Sequence, residues 1–396
     1  MNENEIIALS DDNIMNTYKR FPIVLVKGAG QKVWDVNGKE YLDFVAGIAV
    51  CNLGHSHQHV VDAVKEQVEK LTHVSNLYYI EPQAQAAKLL VDNSFADKVF
   101  FCNSGAEANE AAIKLARKYA HENLGKNKFE LITMKDSFHG RTMATITATG
   151  QEKFQFGFTP LLDGFTYVPF NDLTALEAAI TEKTCGIMVE PIQGEGGVNI
   201  PDDLYLAKVR NICDRHNILL IVDEVQTGIG RTGKLFAYEH SGIQPDIMTL
   251  AKALGNGFPV GAMLATNKIA KAFSPGNHAS TFGGNLLAMA ATKATLQTIL
   301  QGDLLDTCRN KGEYFISQLK KLQAKHKIIK EVRGKGLMIA CELTVGGADM
   351  VNECMNKGVL INCTGGKILR FVPPLIISLQ DIDRVIKVLD EVMEGK

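Results

Sequence analysis

Five short groups of polar and small residues follow apolar segments of the chain, at positions where chemistry could take place. In chain order they are SGA at 104–106, FHGR at 138–141, EPIQGE at 190–195, DEVQ at 223–226 and LAK at 250–252. Each apolar segment has the length of a strand, and in an open parallel sheet ligands bind beyond the carboxyl ends of the strands. We therefore expect the five groups to meet at one edge of a sheet.

The group at 104–106 opens a segment that is typical of a helix, NSGAEANEAAIKLARK from residue 103. Ser104 and Glu107 predict a capping box, in which both side chains accept hydrogen bonds from free backbone amides. Gly105 and Ala106 carry almost no side chain, so an anion could also approach those amides. The free N–H donors and partial positive charge of a helix N-terminus favour a phosphate group. The cap alone explains the pattern as well as the phosphate does.

Lys252 and Asp223, taken with this phosphate site, fit the requirements of pyridoxal 5′-phosphate (PLP). An amine must attack the aldehyde of that cofactor, and a lysine can supply it where its surroundings favour the neutral form. A buried carboxylate such as Asp223 would keep the pyridine nitrogen protonated. Apolar or aromatic residues would cover the two faces of the ring. The residues therefore predict PLP chemistry.

Residues 219–234 offer a competing interpretation as a nucleotide site. LLIVDE at 219–224 has the pattern of a Walker B segment, and GIGRTGK at 228–234 has the spacing of a P-loop. However, the residue after Lys234 is Leu235, so the hydroxyl that should hold Mg²⁺ is missing. No apolar strand leads into the glycine-rich loop either. These departures argue against an NTPase.

The sequence contains one run that suggests a metal site, formed by His55, His57 and His59. No carboxylate or cysteine is arranged around these histidines, and solvated side chains at the start of a helix explain the run better. The eight cysteines include no C-x-x-C pair, which favours reduced thiols over a zinc or disulfide framework. We expect no bound metal.

The bulk composition argues against several classes of function. The chain has 396 residues and a formal net charge of −2, which gives no electrostatic basis for binding nucleic acid or a membrane surface. The first residues, MNENEIIALSDDN, lack the basic start and apolar run of a signal peptide. The longest purely apolar stretches are strand-sized, so no membrane span is expected. These features favour the cytoplasm.

Seven near-continuous apolar runs predict strands of a parallel sheet that is buried on both faces. They cover residues 99–102, 131–134, 166–169, 186–190, 219–223, 246–250 and 262–265. Helical stretches alternate with these runs, which favours an α/β/α sandwich. We expect residues 61–275 to form this large domain, and residues 1–60 and 276–396 to form a smaller α+β domain from both ends of the chain. Within the smaller domain, residues 33–44 predict a hairpin with a two-residue Asn37-Gly38 turn.

The joint order and spacing of several motifs resemble the class-III, ornithine-type aminotransferases over essentially the whole chain. The matching stretches are NSGAEANEAAIKLAR, FHGRT, EPIQGEGG, DEVQTGIGRTG, LAKALGNGFPVGA, STFGGN and RFVPPL. The resemblance implies a PLP-dependent transferase of fold type I that works as a homodimer on small-molecule substrates.

The resemblance also implies roles for residues around the cofactor. Lys252 would form the Schiff base with PLP, and Asp223 would pair with the pyridinium nitrogen. Val225 and Phe138 would cover the two faces of the ring, while Gln226 would approach its phenolic oxygen. Residues from both subunits would bind the phosphate, namely Gly105, Ala106 and, from the other subunit, Thr281.

By the same resemblance, Arg141 and Arg370 would hold the carboxylates of the substrates. Glu195 would cover Arg370 whenever the distal end of the amino donor needs no cation, and Ser280 would also contact the substrate. Taken singly, each of these residues has an ordinary explanation. Arg141 could be a charge on a helix surface, and Ser280 a turn or cap residue.

Three amino donors compete within this resemblance, N-acetylornithine, ornithine and 4-aminobutyrate, each with 2-oxoglutarate as the acceptor. The ornithine enzymes have a tyrosine near the substrate where this chain has Ile48, which lacks a hydroxyl for a free α-amino group. LRFVPP at 369–374 differs from the corresponding segment of the 4-aminobutyrate enzymes, and NLYYIEPQ at 76–83 resembles the N-acetylornithine enzymes of arginine biosynthesis. We therefore expect transfer of the δ-amino group of N-acetylornithine to 2-oxoglutarate. Succinylated ornithine and N-succinyl-diaminopimelate stay open as donors, whereas the presence of Lys252 and Asp223 argues against a non-catalytic binding protein.

Overall fold

A seven-stranded sheet lies at the centre of the protein in a computed structural model that describes residues 1–394. Gly261–Ala265 runs antiparallel to both of its neighbours, and the other neighbouring strands are parallel. All seven predicted strands are present, and the α/β class with a mostly parallel sheet is confirmed. From one edge to the other, the strands are Lys98–Cys102, Gly261–Ala265, Ile247–Leu250, Leu219–Asp223, Thr184–Val189, Glu130–Met134 and Phe165–Val168.

The sheet is buried on both faces because its strands carry apolar residues at nearly every position. In Leu219–Asp223, for example, all five residues are buried. Successive side chains of a strand point to opposite faces. Accordingly, Leu220 and Val222 pack into one hydrophobic core, and Leu219 and Ile221 pack into another.

Helices complete the layers of this large part of the molecule. Two 3₁₀ helices, Ala237–Ser241 and Lys252–Gly255, follow strands of the sheet. Among residues 1–394, no helix combines the length and apolar character that crossing a membrane requires. The α-helices of the large part are Gln58–Lys70, Glu81–Asp92, Gly105–Asn123, Met143–Ala148, Glu152–Gln155, Leu173–Ala178, Tyr205–His216, Asn267–Ala270 and Leu286–Gln301.

Both ends of the chain build the smaller part. It contains two four-stranded sheets. In the first sheet, Val359–Leu360 pairs in parallel with Glu40–Asp43, so a C-terminal strand completes a sheet that N-terminal strands begin. The first sheet contains Leu25–Ala29, Lys32–Asp35, Glu40–Asp43 and Val359–Leu360. The second contains Ile329–Lys335, Met338–Leu343, Ile368–Phe371 and Asn362–Thr364. The helices are Glu3–Asn13, Leu304–Lys325, Ala348–Asn356 and Leu379–Met393.

The helix Leu286–Gln301 packs differently from the expected division at residues 275/276. Its residues Met289 and Ile299 lie in the core of the large part, where the helix contacts the helices Gln58–Lys70 and Glu81–Asp92. The next helix instead contributes Phe315 to the core of the smaller part. We therefore propose that the two domains divide between these two helices, near residue 302.

The predicted turn at Asn37-Gly38 is longer than a two-residue hairpin. The amide of Asp35 donates to the carbonyl of Lys39, and only Gly38 in this turn has a positive φ, of 83°. The carboxylate of Asp35 accepts hydrogen bonds from the amides of Asn37 and Lys39 at 3.0 and 2.9 Å. This side chain stabilises the turn, so that Asn37 does not need the left-handed conformation.

An unusual turn follows the strand Glu40–Asp43. Its four residues, Ala46–Ala49, have positive φ angles of 49°, 65°, 67° and 60°. A left-handed conformation costs roughly 1–2 kcal/mol for a residue with a Cβ atom, and the β-branched Ile48 is poorly suited to it. The carboxylate of Asp43 accepts hydrogen bonds from the amides of Val45 and Ala46 at 2.8 and 2.9 Å, which stabilises the turn.

Candidate active site

A cavity of about 400 Å³ lies at the carboxyl ends of the parallel strands. The five groups singled out in the sequence all reach it, through Ser104, Phe138, Glu190, Asp223 and Lys252. Five separate loops therefore meet at one place, as expected from their positions after the strands. The volume lies within the range of small-molecule and cofactor sites.

Lys252 begins the 3₁₀ helix that follows the strand Ile247–Leu250, and its φ of 44° is left-handed. Lys252 lines the cavity and is partly buried. Burial lowers the pKa of Lys252 to about 8, an effect that the carboxylate of Glu195 opposes and the guanidinium of Arg370 strengthens. Near neutral pH a useful fraction of the amine is therefore unprotonated and nucleophilic.

Asp223 ends the central strand Leu219–Asp223 and is only 3% exposed. Its Oδ2 accepts hydrogen bonds from Asn109 Nδ2 at 2.8 Å and from His139 Nδ1 at 2.7 Å, and its Oδ1 accepts one from the amide of Val225 at 3.0 Å. These three donors fix a buried carboxylate at the cavity wall. Although burial opposes it, the contact with Asp223 raises the pKa of His139.

The sequence did not assign roles to Asn109 and His139, although both lie within motifs that it singled out. Asn109 also donates to the carbonyl of His139 at 2.7 Å and accepts from the hydroxyl of Thr249 at 2.7 Å. His139 is buried, and its Nε2 has no partner among the described residues. Through Asn109, the helix Gly105–Asn123 therefore contacts both the Asp223 carboxylate and the loop that carries His139.

Glu190 is a second buried carboxylate at the cavity, directly after the strand Thr184–Val189. Its oxygens accept hydrogen bonds from the amides of Phe138 at 3.0 Å and Gly194 at 3.3 Å. Burial raises the pKa of Glu190 to about 7, although the nearby His139 opposes the shift. Through its hydrogen bond to the amide of Phe138, Glu190 holds the loop that carries Phe138 in place.

The predicted anion site lies at the N-terminus of the helix Gly105–Asn123. Ser104 Oγ accepts from the amide of Glu107 at 3.2 Å, but the Glu107 carboxylate accepts from the amide of Asn103 instead of Ser104. The predicted capping box is thus only half formed. Gly105 and Ala106 line the cavity, and within residues 1–394 their amides have no hydrogen-bond acceptor. They remain available to a phosphate group.

Val225 and Phe138 line the cavity, as expected for residues that cover the faces of a flat ring. A Cβ atom on Gly105 would lie 2.8 Å from Val225 Cγ1, so the glycine is needed where the phosphate site and Val225 meet. Phe138 makes an edge contact with Phe154, at 5.5 Å between ring centroids. Phe154 is a further residue that the sequence did not single out.

Gln226 connects the cavity to the pair formed by Glu195 and Arg370, neither of which lines the cavity itself. It lines the cavity beside Lys252, and its side chain packs so closely on Gly194 that a Cβ atom there would lie 2.4 Å away. Arg370 is 1% exposed, and its Nη1 donates to Glu195 Oε1 at 2.9 Å. Burial opposes the effect, but Arg370 holds the pKa of Glu195 below its ordinary value. The expected cover of Arg370 by Glu195 is the arrangement in the structure.

Arg141 contrasts with this closed pair, because its side chain is exposed. Its guanidinium carbon lies 4.1 Å from the ring centroid of Phe154 and 5.5 Å from that of Phe138. It forms no ion pair or hydrogen bond with the described residues. Arg370 is thus already bound to a carboxylate of the protein. Arg141 is oriented by aromatic rings and is free to bind the carboxylate of a ligand.

Ser280 and Thr281 do not line the cavity in this chain. Ser280 Oγ accepts from Asn103 Nδ2 at 3.1 Å and from the amide of Gly283 at 3.0 Å, which is the bonding of a turn residue. Thr281 is exposed and lines a different cavity of about 640 Å³ with Asn76 and Leu77. Their predicted contacts with substrate and phosphate stay predictions.

The loop at 228–233 and the three histidines have structural surroundings of their own. Arg231 is fully buried and donates to the carbonyls of Leu337 and Pro373, so the loop contacts the smaller part of the protein. His55 pairs with Asp43 at 2.7 Å, whereas His59 contacts Thr298. The neighbouring histidines thus have different partners.

The family model of the class-III aminotransferases matches residues 14–393. This chain belongs to the class-III aminotransferases. The aminotransferase is 55% identical to the acetylornithine aminotransferase of Caldanaerobacter subterraneus subsp. tengcongensis, over 98% of this chain and 99% of that one. It is 54% identical to the acetylornithine aminotransferase of Methanocaldococcus jannaschii, over 99% and 98% of the two chains.

Solved structures of the family resemble the aminotransferase over its full length. The acetylornithine aminotransferase of Elizabethkingia anophelis is 36% identical, with a TM-score of 0.90 and complete coverage of both chains. The ornithine aminotransferase of Toxoplasma gondii is 34% identical, with a TM-score of 0.96 over 100% of this chain and 96% of that chain. These likenesses agree with fold type I, as the resemblance implied.

Class-III aminotransferases use PLP, and the residues of this aminotransferase fit that cofactor. The free amides of Gly105 and Ala106 suit its phosphate, and the buried carboxylate of Asp223 suits its ring nitrogen. Lys252 supplies an amine with a pKa of about 8 within the same cavity. The residues that the sequence predicts for PLP chemistry therefore line one cavity.

Proposed function

We propose that this aminotransferase transfers the δ-amino group of N2-acetyl-L-ornithine to 2-oxoglutarate. The products are N-acetyl-L-glutamate 5-semialdehyde and L-glutamate, and the reaction is a step of arginine biosynthesis. The observation that carries this proposal is the contrast between Arg141, which is free, and Arg370, which is paired with Glu195 at 2.9 Å. The relatives named above, at 55% and 54% identity, support the same activity.

The two arginines suit two substrates that share one site but differ in charge next to the reacting carbon. The δ-carbon of acetylornithine carries no carboxylate, and Glu195 then keeps Arg370 neutralised. The α-carbon of glutamate carries a carboxylate, which would replace Glu195 on Arg370. Arg141 would hold the distant α-carboxylate of acetylornithine. A bidentate arginine–carboxylate contact gives such recognition both geometry and energy.

The identity of residue 48 supports an acylated donor. Ile48 lies in the left-handed turn two residues before Val50, which lines the cavity. Its side chain has no hydrogen-bonding group to satisfy a free α-ammonium group. A site that lacks a partner for a buried polar group disfavours the ligand that carries that group, so unmodified ornithine is the poorer donor.

PLP, when bound, withdraws electrons from the carbon that bears the reacting amine. Lys252 would act as general acid and base, removing a proton from that carbon and delivering it to the C4′ carbon of the cofactor, because its pKa of about 8 lies near neutral pH. Asp223 would hold a proton on the ring nitrogen, because the hydrogen bonds from Asn109 and His139 fix its carboxylate. Val225 and Phe138 would exclude water from the ring faces. Gln226 would position the phenolic side of the ring.

We further propose that the enzyme is a cytoplasmic homodimer and that Thr281 completes the phosphate site of the partner subunit. Thr281 is exposed, and it lines a cavity with Leu77, which is itself 84% exposed. The neighbouring Phe282 is 60% exposed. Large exposed apolar residues that lie close together favour a contact with another protein, whereas single ones are common on any surface. Ser280, in the same segment, would reach the substrate from the partner in this arrangement.

A panel of amino donors tests the proposed substrate. The purified holoenzyme is assayed with 2-oxoglutarate and, in turn, acetylornithine, succinylornithine, N-succinyl-diaminopimelate, ornithine and 4-aminobutyrate, and kcat/KM is measured for each donor. We expect acetylornithine to exceed ornithine and 4-aminobutyrate by about tenfold or more, equivalent to about 1.4 kcal/mol. A higher kcat/KM for ornithine or 4-aminobutyrate refutes the substrate assignment. Lys252→Met serves as the inactive control.

A further inference from the structure

Arg370 is surrounded by four oxygen acceptors, of which only one carries a negative charge. Its Nη1 donates to Glu195, to the carbonyl of Gly194 at 3.2 Å and to Gln226 Oε1 at 3.4 Å. Its Nε donates to Asn362 Oδ1 at 3.3 Å. Within residues 1–394, Nη2 has no hydrogen-bond partner. Removing Glu195 from this arrangement would leave a positive charge bound only by neutral groups.

The contact with Asn362 follows from the sheet of the smaller part. Arg370 lies in the strand Ile368–Phe371, and Asn362 faces it directly in the neighbouring strand Asn362–Thr364. Paired residues of neighbouring strands place their side chains on the same face. The position of Asn362 relative to Arg370 therefore does not depend on the conformation of the loop that carries Glu195.

We propose that Asn362 is a positioning residue for Arg370, and that it holds the guanidinium in place without neutralising it when a substrate carboxylate replaces Glu195. The inference rests on the proposed function, because it assigns Arg370 to the α-carboxylate of glutamate. A guanidinium is planar, so a bond to Nε fixes the direction of the edge that carries Nη1 and Nη2. That edge is the one a carboxylate binds through two parallel hydrogen bonds.

The chemistry of the side chain at position 362 explains why an amide suits this role. An apolar residue would leave a buried N–H group of Arg370 without an acceptor. A carboxylate would satisfy Nε, but it would also neutralise the guanidinium permanently and compete with the substrate. The amide oxygen accepts the hydrogen bond without taking away the charge. Asn362 thus acts on the affinity for glutamate and 2-oxoglutarate but not on the affinity for acetylornithine.

The test compares Asn362→Leu and Asn362→Asp with wild type, as holoenzymes. Cys363→Ser is the matched control, because the adjacent residue of the same strand points to the opposite face and pairs with Leu369. Each half-reaction is followed separately by the absorbance of the cofactor, with glutamate alone or acetylornithine alone. Binding of glutarate, a dicarboxylate without an amine, is measured by calorimetry.

We expect the KM for glutamate and the Kd for glutarate to rise about tenfold in Asn362→Leu and about a hundredfold in Asn362→Asp, where tenfold corresponds to about 1.4 kcal/mol. The acetylornithine half-reaction should stay within about twofold of wild type in all variants. An equal loss in both half-reactions, or an unchanged glutamate KM in Asn362→Asp, overturns the role of Asn362. If acetylornithine fails as a donor in wild type while the glutamate effects occur, the proposed donor is wrong and the role of Asn362 stands.

Discussion

Replacing Lys252 by methionine should stabilise the cofactor-free protein at neutral pH, although we expect it to abolish activity. Methionine retains most of the unbranched apolar stem of lysine and removes the ammonium group. The amine of Lys252 has an ordinary pKa of 10.5, and burial lowers it to about 8 in the folded protein. Folding at pH 7 must therefore bring a charged group into surroundings that disfavour the charge.

The size and sign of the effect follow from the two pKa values. Below about pH 8 the lysine is protonated in both the folded and unfolded states, so the full cost of burying the charge is present. The difference of about 2.5 pKa units corresponds to about 3 kcal/mol at 1.36 kcal/mol per unit. Screening by water in the open cavity reduces the expected gain for Lys252→Met to roughly 1.5–3 kcal/mol. Between pH 8 and 10.5 the folded wild type releases the proton first, so its deficit shrinks and the two proteins converge.

The assay is urea unfolding of the cofactor-free wild type and Lys252→Met at pH 7 and again near pH 10, followed by circular dichroism. All other ionisable groups are shared, so most of the pH dependence that they contribute cancels in the difference between the two proteins. Expressed as melting temperature, the gain at pH 7 amounts to about 2–4 °C for a chain of this length. A difference that is the same at both pH values, or a less stable variant at pH 7, refutes the reasoning.

Three further changes have expected outcomes. Asp223→Asn removes the carboxylate that His139 and Asn109 hold. The affinity for the cofactor, measured by equilibrium dialysis, should fall by about 10–100-fold, as for the loss of a charged hydrogen bond. An unchanged affinity contradicts the role of the charge. Glu195→Gln weakens the competitor for Arg370, so the KM for 2-oxoglutarate should fall by several-fold while that for acetylornithine does not; a higher 2-oxoglutarate KM speaks against it. Gly105→Ala places a Cβ atom 2.8 Å from Val225 Cγ1. The cofactor should dissociate faster from this variant than from wild type, while the melting temperature of the cofactor-free protein stays nearly unchanged. Equal dissociation rates in the variant and wild type count against this account.

The central sheet could be predicted because its strands are apolar at nearly every position. Leu219–Asp223 needs no tertiary information to be recognised as a buried strand that ends in a carboxylate. The ends of parallel strands lie at a common edge, so Lys252 and Asp223 could be expected in the same cavity. Their predicted functions needed more, namely the joint spacing of the motifs. The helix Leu286–Gln301 was assigned to the smaller domain because its sequence does not specify which core its apolar residues enter.

The supporting residues of the site were harder to find because their roles depend on partners far away in the sequence. Asn109 lies 114 residues from Asp223, and nothing in its local sequence distinguishes this contact from an ordinary helix position. Asn362 contacts Arg370 only because two short strands pair in one register. Phe154 orients Arg141 through a ring face, and isolated aromatic residues usually indicate a core. Sequence periodicity carries no information on such pairs.

The left-handed turn at Ala46–Ala49 has a consequence for how enzymes of this kind diverge. Its backbone is held by Asp43 and by hydrogen bonds such as that from Ala49 to Val45 at 3.1 Å, none of which uses the side chain of Ile48. That side chain is 39% exposed, and a β-branched residue is already among the least favourable choices for this conformation. Most replacements at position 48 should therefore be neutral or favourable for folding. A lineage could exchange one amino donor for another here by a single substitution, without first acquiring a compensating mutation elsewhere.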